Sequence, residues 1–366
     1  MTEYIKKLKY TDLTFIGLGS VIGAGIFALI GKSSKYSGNY TWVSMIIAGA
    51  IIYYISRSYV KISKTYKEND AEAQIVRKAF GKKMSNALAI GTIISGVLTI
   101  YIVSDAFGGY MTSLSSFSHQ ICTIFCILLC ALINFIGISE IATLNTFTTI
   151  IGIFGLLTII ALGIFKSSSN ENINDDMTSN VSIIGVLFSA YILLLSYFGF
   201  ESLIKFTEES IDPNVDICRA INTTIITAII IYSMIAFISV RTVPVSILSK
   251  SDYPLVEVTT RLTDNRFVLN LIKYSALFLT FNTSLLLMGS TSRFIESFLE
   301  NDFKIKGPVI MKSSVPVFYI MCISIIAIML EAYKTNIISA ASLSNFCKMG
   351  LFLTVVAGTK HADTTN

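Results

Sequence analysis

Ten runs of about 20 apolar residues dominate this chain of 366 residues. Such a run is the length that an α-helix needs to cross the hydrocarbon core of a bilayer. Only 14% of the residues are charged, against roughly 25% in soluble domains. The pattern predicts an all-α, multi-pass integral membrane protein that contacts the lipid bilayer. The predicted spans are 12–30, 41–60, 85–113, 119–137, 141–165, 181–203, 221–243, 267–297, 315–332 and 336–358.

Basic residues predict how these spans are oriented. An even number of spans places both termini on one side of the membrane. Eighteen Lys or Arg residues lie near that side and eight near the other. Positive charge accumulates in cytoplasmic loops, so we expect both termini in the cytoplasm. The net charge of +5 follows from this asymmetry, and nothing in it indicates nucleic-acid binding. Which membrane holds the chain, and its oligomeric state, are left open.

Polar segments divide the chain into two halves of five spans. We expect a short amphipathic helix over 70–80 and a short capping helix within the external segment 244–266. The predicted units are a cytoplasmic N-terminus 1–11, a first five-helix repeat 12–165, an external loop 166–180, a second five-helix repeat 181–358 and a cytoplasmic C-terminus 359–366.

The first span carries a cluster of glycines that disfavours a continuous helix. Gly17, Gly19, Gly23 and Gly25 fall within nine residues, and each glycine costs a helix interior roughly 1 kcal/mol relative to alanine. The cluster predicts that this helix unwinds partway across the bilayer. Backbone groups exposed at that depth persist only where protein buries them or where they line a cavity, which predicts a binding site. Close helix packing is the alternative, because Gly19 and Gly23 fit a Gly-x-x-x-Gly pattern.

The first span of the second half carries a matching signal. It ends in Ser196-Tyr197-Phe198-Gly199-Phe200-Glu201, which combines a glycine with an acidic residue. Interrupted helices at corresponding positions of two halves are typical of transporters built from inverted repeats. Because five is an odd number, the two halves must have opposite topology. A packing motif alone does not explain this second interruption.

These motifs resemble those of a known family. Residues 19–27 are similar to the first-helix signature of the amino acid–polyamine–organocation (APC) permeases. The likeness continues at Phe198-Gly199-Phe200-Glu201, Glu208-Glu209, Pro213, Arg219-Ala220-Ile221, Ser292-Arg293 and the Lys-Ser-Ser-Val-Pro stretch at 312–316. It runs from about residue 8 to residue 358. The resemblance implies a LeuT-type fold, a five-plus-five inverted repeat of ten helices with helices 1 and 6 unwound at mid-membrane. Many relatives carry two further helices, which lie outside that core.

The resemblance also implies where an amino acid would bind. Half-helices that meet at an unwound segment offer free amides at one end and free carbonyls at the other. A carboxylate suits the amides and an ammonium suits the carbonyls. The residues implied are Gly23, Ala24 and Gly25 for the carboxylate, Val21, Leu195 and Phe198 for the amine, and Gly199 for the break in the sixth helix.

Glu201 follows that second break, where an ionisable group is expensive and usually functional. It is predicted to act in gating or proton coupling, with a structural hydrogen bond as the alternative. Tyr101, with Phe198 or Phe200, could form an aromatic lid, although any one of these rings could equally be core packing. Asp105 and Lys348 also fall within predicted spans. Pairing between them would lower the cost of both charges, and snorkelling to an interface is the alternative.

The coupling ion has two interpretations. Many proton-coupled relatives carry a lysine on the fifth helix, and alignment with the family puts Gly152 at that position. The departure removes the obvious proton carrier. Thr283 and Ser284 offer adjacent hydroxyls, with the carbonyl of Thr280 one turn earlier, and a hard cation such as sodium prefers oxygen ligands. Sodium coupling at these residues stands beside exchange or uniport without an ion, and no other cofactor is expected.

The sequence therefore predicts a secondary transporter that moves amino acids by alternating access. A polyamine or organic-cation permease is the rival within the class, and such a substrate would need an additional acid in the pocket. A non-transporting amino-acid sensor on the same scaffold is the rival outside it, although sensors usually carry long cytoplasmic tails. An enzyme is not expected, because neither His119 nor His361 has a nucleophile or metal-type neighbourhood.

Overall fold

The computed structural model describes residues 8–65, 71–136, 138–166, 181–206, 210–304 and 316–365. Helices make up almost all of these residues. In chain order they are α1 (Tyr10–Val21), α2 (Ala24–Ser37), α3 (Thr41–Thr65), α4 (Ala71–Thr112), α5 (His119–Ile136), α6 (Ile138–Lys166), α7 (Ile183–Leu193), α8 (Pro213–Thr242), α9 (Val245–Leu248), α10 (Pro254–Leu262), α11 (Arg266–Phe303), α12 (Val317–Ala332) and α13 (Ile337–Thr365). Short 3-10 helices cover Gly38–Tyr40, Leu194–Tyr197 and Phe200–Phe206.

Large apolar side chains face outward on this bundle and many polar side chains face inward. Phe165 and Phe346 are 83% and 73% exposed, whereas the Asn282 and Asn345 side chains are fully buried. Water would favour the opposite distribution, and lipid favours this one. Seven described helical stretches are long and apolar enough to cross a membrane, and α5 and α12 are shorter apolar helices. The chain is a multi-pass integral membrane protein. One of the seven stretches, Gly25–Lys64, joins α2 to α3.

Two short-helix predictions can be compared with the structure. Ala71 begins a helical segment that meets a break at Gly81, whose φ is 82°, so the predicted helix over 70–80 is observed from Ala71 onward. Residue 70 lies outside the described residues. The predicted capping helix in 244–266 is observed as two helices, α9 and α10. Leu255 and Val258 of α10 are fully buried, and this helix packs against α2, α8 and α11.

The helices pack in a pattern that relates the two halves. Helix α4 makes its most extensive contacts with α13, α11 and α5, while α11 packs mainly on α4 and α6. Helix α1 packs on α8, and α7 packs on α3. The pairs α3–α8, α4–α11 and α5–α12 each join one half to the other. The helices before residue 167 and those after residue 180 are therefore interleaved rather than side by side.

Buried amide and hydroxyl side chains join these helices. Asn282 of α11 donates to Asn145 of α6 at 2.7 Å. Ser344 of α13 lies 2.8 Å from Ser95 of α4, hydroxyl to hydroxyl. The Asn345 amide donates to the carbonyl of Tyr191 on α7 at 2.6 Å. Such bonds satisfy polar groups that would otherwise be stranded in an apolar interior.

Candidate functional site

The first interruption separates α1 from α2 and falls inside the glycine cluster. Ile22 and Gly23 lie between the two helices with non-helical dihedrals (ψ of 86° and −115°). The carbonyl of Val21 closes α1 and accepts two hydrogen bonds, one from the Gly23 amide at 2.9 Å and one from the Tyr232 hydroxyl at 2.8 Å. Gly23, which precedes α2, has no side chain to cap it, and among the described residues no side chain hydrogen-bonds the first amides of α2. The first amides of a helix have no partner within it, so this end presents free donors.

The second interruption lies between α7 and the 3-10 helix Phe200–Phe206. Gly199 has a φ of 119°, a conformation that L-residues rarely adopt. Its amide donates to Oε2 of Glu201 at 2.8 Å. Its carbonyl accepts from the Ser202 amide at 3.0 Å and from the Ser202 hydroxyl at 2.6 Å. The Phe198 amide donates to the carbonyl of Leu195 at 3.3 Å. Many backbone hydrogen-bonding groups of this segment therefore bond to residues of the same segment.

Glycines bring the two interruptions into direct contact. A Cβ at Gly25 would overlap the backbone of Ser196, and a Cβ at Gly199 would overlap the carbonyl of Ser20. The hydroxyls of Ser20 and Ser202 lie 3.3 Å apart. The Ser196 hydroxyl is buried, and it has no hydrogen-bond partner among the described residues. The start of α2 therefore packs directly against the Leu194–Tyr197 turn, and we call this contact the junction. The Ser196 hydroxyl lies at the junction without a hydrogen-bond partner among the described residues.

Glu201 and Lys348 form an ion pair at this junction. Oε1 of Glu201 lies 2.9 Å from Nζ of Lys348, and the two side chains are only 12% and 13% exposed. Lys348 also lies over the ring of Phe352, 5.6 Å from its centroid. The predicted pair of Lys348 with Asp105 is therefore wrong. Each charge has a different partner: Asp105 lies near the C-terminal end of α4 and accepts a hydrogen bond from Nε2 of His119 at 3.0 Å.

A second charged group lies beside that histidine and outside the spanning helices. Asp252, between α9 and α10, binds Lys32 at 3.1 Å and lies 3.6 Å from Nδ1 of His119. The hydrogen bond from His119 and the charge of Lys32 lower the pKa of Asp252 to about 2. This cluster ties the α9–α10 connection to α2 and α5.

The predicted aromatic lid is distributed over two places. Phe198 and Phe200 both contact Phe352, with ring centroids 5.4 Å and 5.6 Å apart. Phe200 is fully buried and also contacts Tyr59 at 5.2 Å. The Tyr101 hydroxyl instead donates to the carbonyl of Thr335 at 2.7 Å, between α12 and α13. The structure joins the two phenylalanines but not Tyr101 in one cluster, and gating by any of them stays a prediction.

The side chains of the three residues predicted to bind a cation have different neighbours. The Thr283 side chain fills the space beside Gly23, where a Cβ would overlap it. The adjacent Ser284 hydroxyl lies 2.9 Å from that of Ser104 on α4. The Thr280 hydroxyl donates to the carbonyl of Ala276 at 2.7 Å. Thr283 contacts the first interruption through its side chain, and the predicted ligand of Thr280 is its carbonyl rather than this hydroxyl, so a sodium site here stays a prediction.

Other residues singled out from the sequence have clear placements or none. A Cβ on Gly152 would overlap Leu279, so the structure has no room there for a lysine without rearrangement. Among the described residues, no cluster of His, Cys, Asp or Glu could hold a metal ion. Glu208, Glu209 and residues 312–315 lie outside the described residues, as does the side chain of Ala24.

Sequence reasoning missed Tyr232 and Ser196, which complete the junction. A tyrosine or serine in an apolar span has no distinctive pattern, so only the fold could locate them. The lysine at 348 was visible as a charge within a span, which signals that a partner is required. Its partner could not be read from the sequence.

Together these features define a membrane protein of paired, interrupted helices, and comparison assigns it to a family. The sequence profile of the family described as "Amino acid permease" matches residues 8–358. The chain belongs to this amino acid permease family, which lies within the APC superfamily.

Curated relatives are distant. The inner membrane transport protein YbaT of Escherichia coli K12 is 25% identical over 243 residues, which cover 64% of this chain and 55% of YbaT. The branched-chain amino acid permease BcaP of Bacillus subtilis is 21% identical over 271 residues, 68% of this chain and 58% of BcaP. Cationic amino acid transporter 7 of Arabidopsis thaliana is 26% identical over 255 residues, 63% of this chain and 44% of that protein. In each case the match spans about half of the relative's length.

A solved structure shares the fold. The chain is similar to a Na+-coupled sialic acid symporter in a substrate-bound, outward-open state, with a TM-score of 0.63 and 11% sequence identity. The match covers 90% of this chain and 74% of that chain. This symporter has the LeuT fold, so the likeness supports the same architecture here.

Proposed function

We propose that this permease is a secondary transporter that moves an amino acid across the membrane by alternating access. The observation that carries the proposal is the uncapped start of α2, which touches the second interruption at Ser196. Uncapped amides at a helix start stabilise an anion. The carboxylate common to all amino acids would bind at Ala24 and Gly25, and Gly23 would let it approach.

The amine of the substrate would bind the carbonyl side of the same junction. Leu195 is the better acceptor, because its carbonyl holds one hydrogen bond and can accept another, and Phe198 would supply a second carbonyl. The Val21 carbonyl already accepts two, so an ammonium there would have to displace Gly23 or Tyr232. The free hydroxyl of Ser196 would add a further contact to the substrate.

The helices would form ten spans in a five-plus-five inverted repeat, 12–165 and 181–358, with interruptions near mid-membrane. The packing supports this arrangement. If α4 corresponds to α11 and α6 to α13, the pair α4–α13 becomes α11–α6, and both pairs are major contacts. Likewise α1–α8 becomes α7–α3, which is also observed. The excess of basic residues supports cytoplasmic termini at both ends.

Uptake into liposomes that contain the purified full chain tests the transport proposal. We expect at least one labelled amino acid to accumulate by exchange against the same unlabelled compound, and putrescine to remain outside. Empty liposomes provide the control. Separate arms with an inward sodium gradient, an inward proton gradient and neither would distinguish symport from exchange or uniport. Binding of an amino acid without any flux would favour the sensor, and uptake of putrescine alone would favour the polyamine permease.

A further inference from the structure

We propose that the Glu201–Lys348 ion pair makes this transporter select amino acids without a positively charged side chain. The proposal rests on the transport function proposed above and names its substrate class. It predicts neutral zwitterions as substrates, and exclusion of lysine, arginine and polyamines. The ion pair joins Glu201, just after the second interruption, to Lys348 of α13.

Among the described residues, Glu201 is the acidic residue that hydrogen-bonds the backbone of the second interruption. One of its oxygens accepts from the Gly199 amide at 2.8 Å, and the other lies 2.9 Å from the Lys348 ammonium. Both oxygens are therefore engaged. A substrate with a second positive charge needs a carboxylate partner when it leaves water, because an unpaired buried cation is strongly disfavoured. The structure gives this carboxylate to the protein's own lysine.

The ion pair is held firmly in place. The Lys348 ammonium lies over the ring of Phe352, and that ring contacts both Phe198 and Phe200. Phe198 and Phe200 flank Gly199, whose amide binds Glu201. Moving the lysine aside to admit a foreign cation would therefore disturb the aromatic cluster and the second interruption together.

A zwitterion leaves no charge unmatched in this arrangement. Its carboxylate binds the α2 amides and its ammonium binds backbone carbonyls, while Glu201 and Lys348 neutralise each other. A lysine or arginine substrate would add one positive charge to a junction that already contains Lys348. Because Glu201 is already paired with Lys348, that added charge has no free carboxylate partner at the second interruption, so the cationic substrate is disfavoured.

A second carboxylate near the ion pair provides a matched control. Glu72, in the first turn of α4, accepts from the Tyr59 hydroxyl at 2.6 Å. The Tyr59 ring packs on Phe200 and on Phe352. Glu72 thus connects to the aromatic cluster through Tyr59 and has no recorded contact with Gly199. Its charge also acts on Lys348, so removing it alters the local charge while the Glu201–Lys348 contact remains.

Uptake into liposomes of labelled leucine, arginine and glutamate tests this selectivity with the wild type and three variants. For the wild type we expect leucine uptake, with arginine uptake below about one tenth of it, a ratio that corresponds to roughly 1.4 kcal/mol. Lys348→Met frees Glu201, so arginine uptake should rise at least about tenfold. Glu201→Gln frees Lys348 instead, so glutamate uptake should rise. Glu72→Gln should keep the selectivity of the wild type.

Each outcome decides one proposal. Comparable wild-type uptake of arginine and leucine would overturn the selectivity proposal, and so would continued arginine rejection by an active Lys348→Met protein. Should Lys348→Met fail to fold, as judged by size-exclusion chromatography, Glu201→Gln decides: a folded protein without a gain in glutamate uptake overturns the proposal. Absence of uptake of every amino acid by the wild type would instead contradict the transport function.

Discussion

The two helix interruptions differ in how their backbone groups are satisfied. At the first, the carbonyl end is closed by Tyr232 and Gly23, while the amides that start α2 have no side-chain cap. At the second, Glu201 and Ser202 satisfy both polar groups of Gly199. We infer a division of labour: the first interruption offers its free amides to the ligand, whereas the second keeps a strained backbone conformation and offers carbonyl oxygens.

The largest effect is expected for Gly199→Ala. The substitution forces an alanine into a φ of 119° and overlaps the Ser20 carbonyl, which should cost at least about 2 kcal/mol of stability and abolish uptake. Thermal unfolding and liposome uptake measure the two effects. The matched control is Gly81→Ala, where φ is 82° but no atom of the described residues lies within 4 Å of the added methyl. Equal losses in both variants would mean that contact between the interruptions contributes nothing.

Gly25→Ala should reduce uptake next most strongly, while the protein still inserts into membranes. Its methyl group would overlap Ser196 and push the start of α2 away from the second interruption. We expect uptake to fall at least about tenfold, since a small misplacement of binding groups has a large cost. Gly91→Ala is the control, because its Cβ would lie at an ordinary 3.6 Å from Cys347. Full uptake by Gly25→Ala would remove the first interruption from the binding site.

Two neighbouring tyrosines offer a direct comparison of the interruptions. Tyr232 donates to Val21 at the first, and Tyr197 of the second donates to the Met45 carbonyl at 2.9 Å. Their rings lie 5.2 Å apart. Each Tyr→Phe change removes one buried hydrogen bond, worth about 1 kcal/mol. Apparent KM for the substrate should change more in Tyr232→Phe, where the Val21 carbonyl beside the α2 amides loses a hydrogen bond, than in Tyr197→Phe. The reverse order would contradict the assigned division of labour.

Ser202→Ala should have the smallest effect. The Gly199 carbonyl loses the hydroxyl but keeps the bond from the Ser202 amide at 3.0 Å. Stability should fall by less than about 1 kcal/mol, and uptake should stay within about twofold of the wild type. Thermal unfolding and uptake at several substrate concentrations test this. A loss as large as that of Gly25→Ala would show that the second interruption also depends on its side chains for transport.

Some features of the site could be predicted from the sequence and others could not. The clustered glycines indicated where α1 ends and α2 begins, because several glycines together oppose a helix and leave a local trace. Gly199 indicated the second interruption through its combination with the acidic Glu201 inside an apolar span. The predicted partner of Lys348 was wrong, because the pairing depends on distances between helices that are far apart in sequence. Tyr232 and Ser196 were missed since their role arises only from the position of a neighbouring backbone.

The Glu201–Lys348 pair also has a consequence for biogenesis. Glu201 is synthesised well before Lys348, so Glu201 has no partner until the segment that carries Lys348 is made. An uncompensated charge at the centre of a spanning helix costs about 2.5–3.5 kcal/mol on insertion. That penalty is relieved only when α13 docks beside the second interruption, which couples late insertion to correct tertiary assembly. A chain in which α13 docks wrongly keeps two unpaired charges, and cellular quality control could recognise that defect.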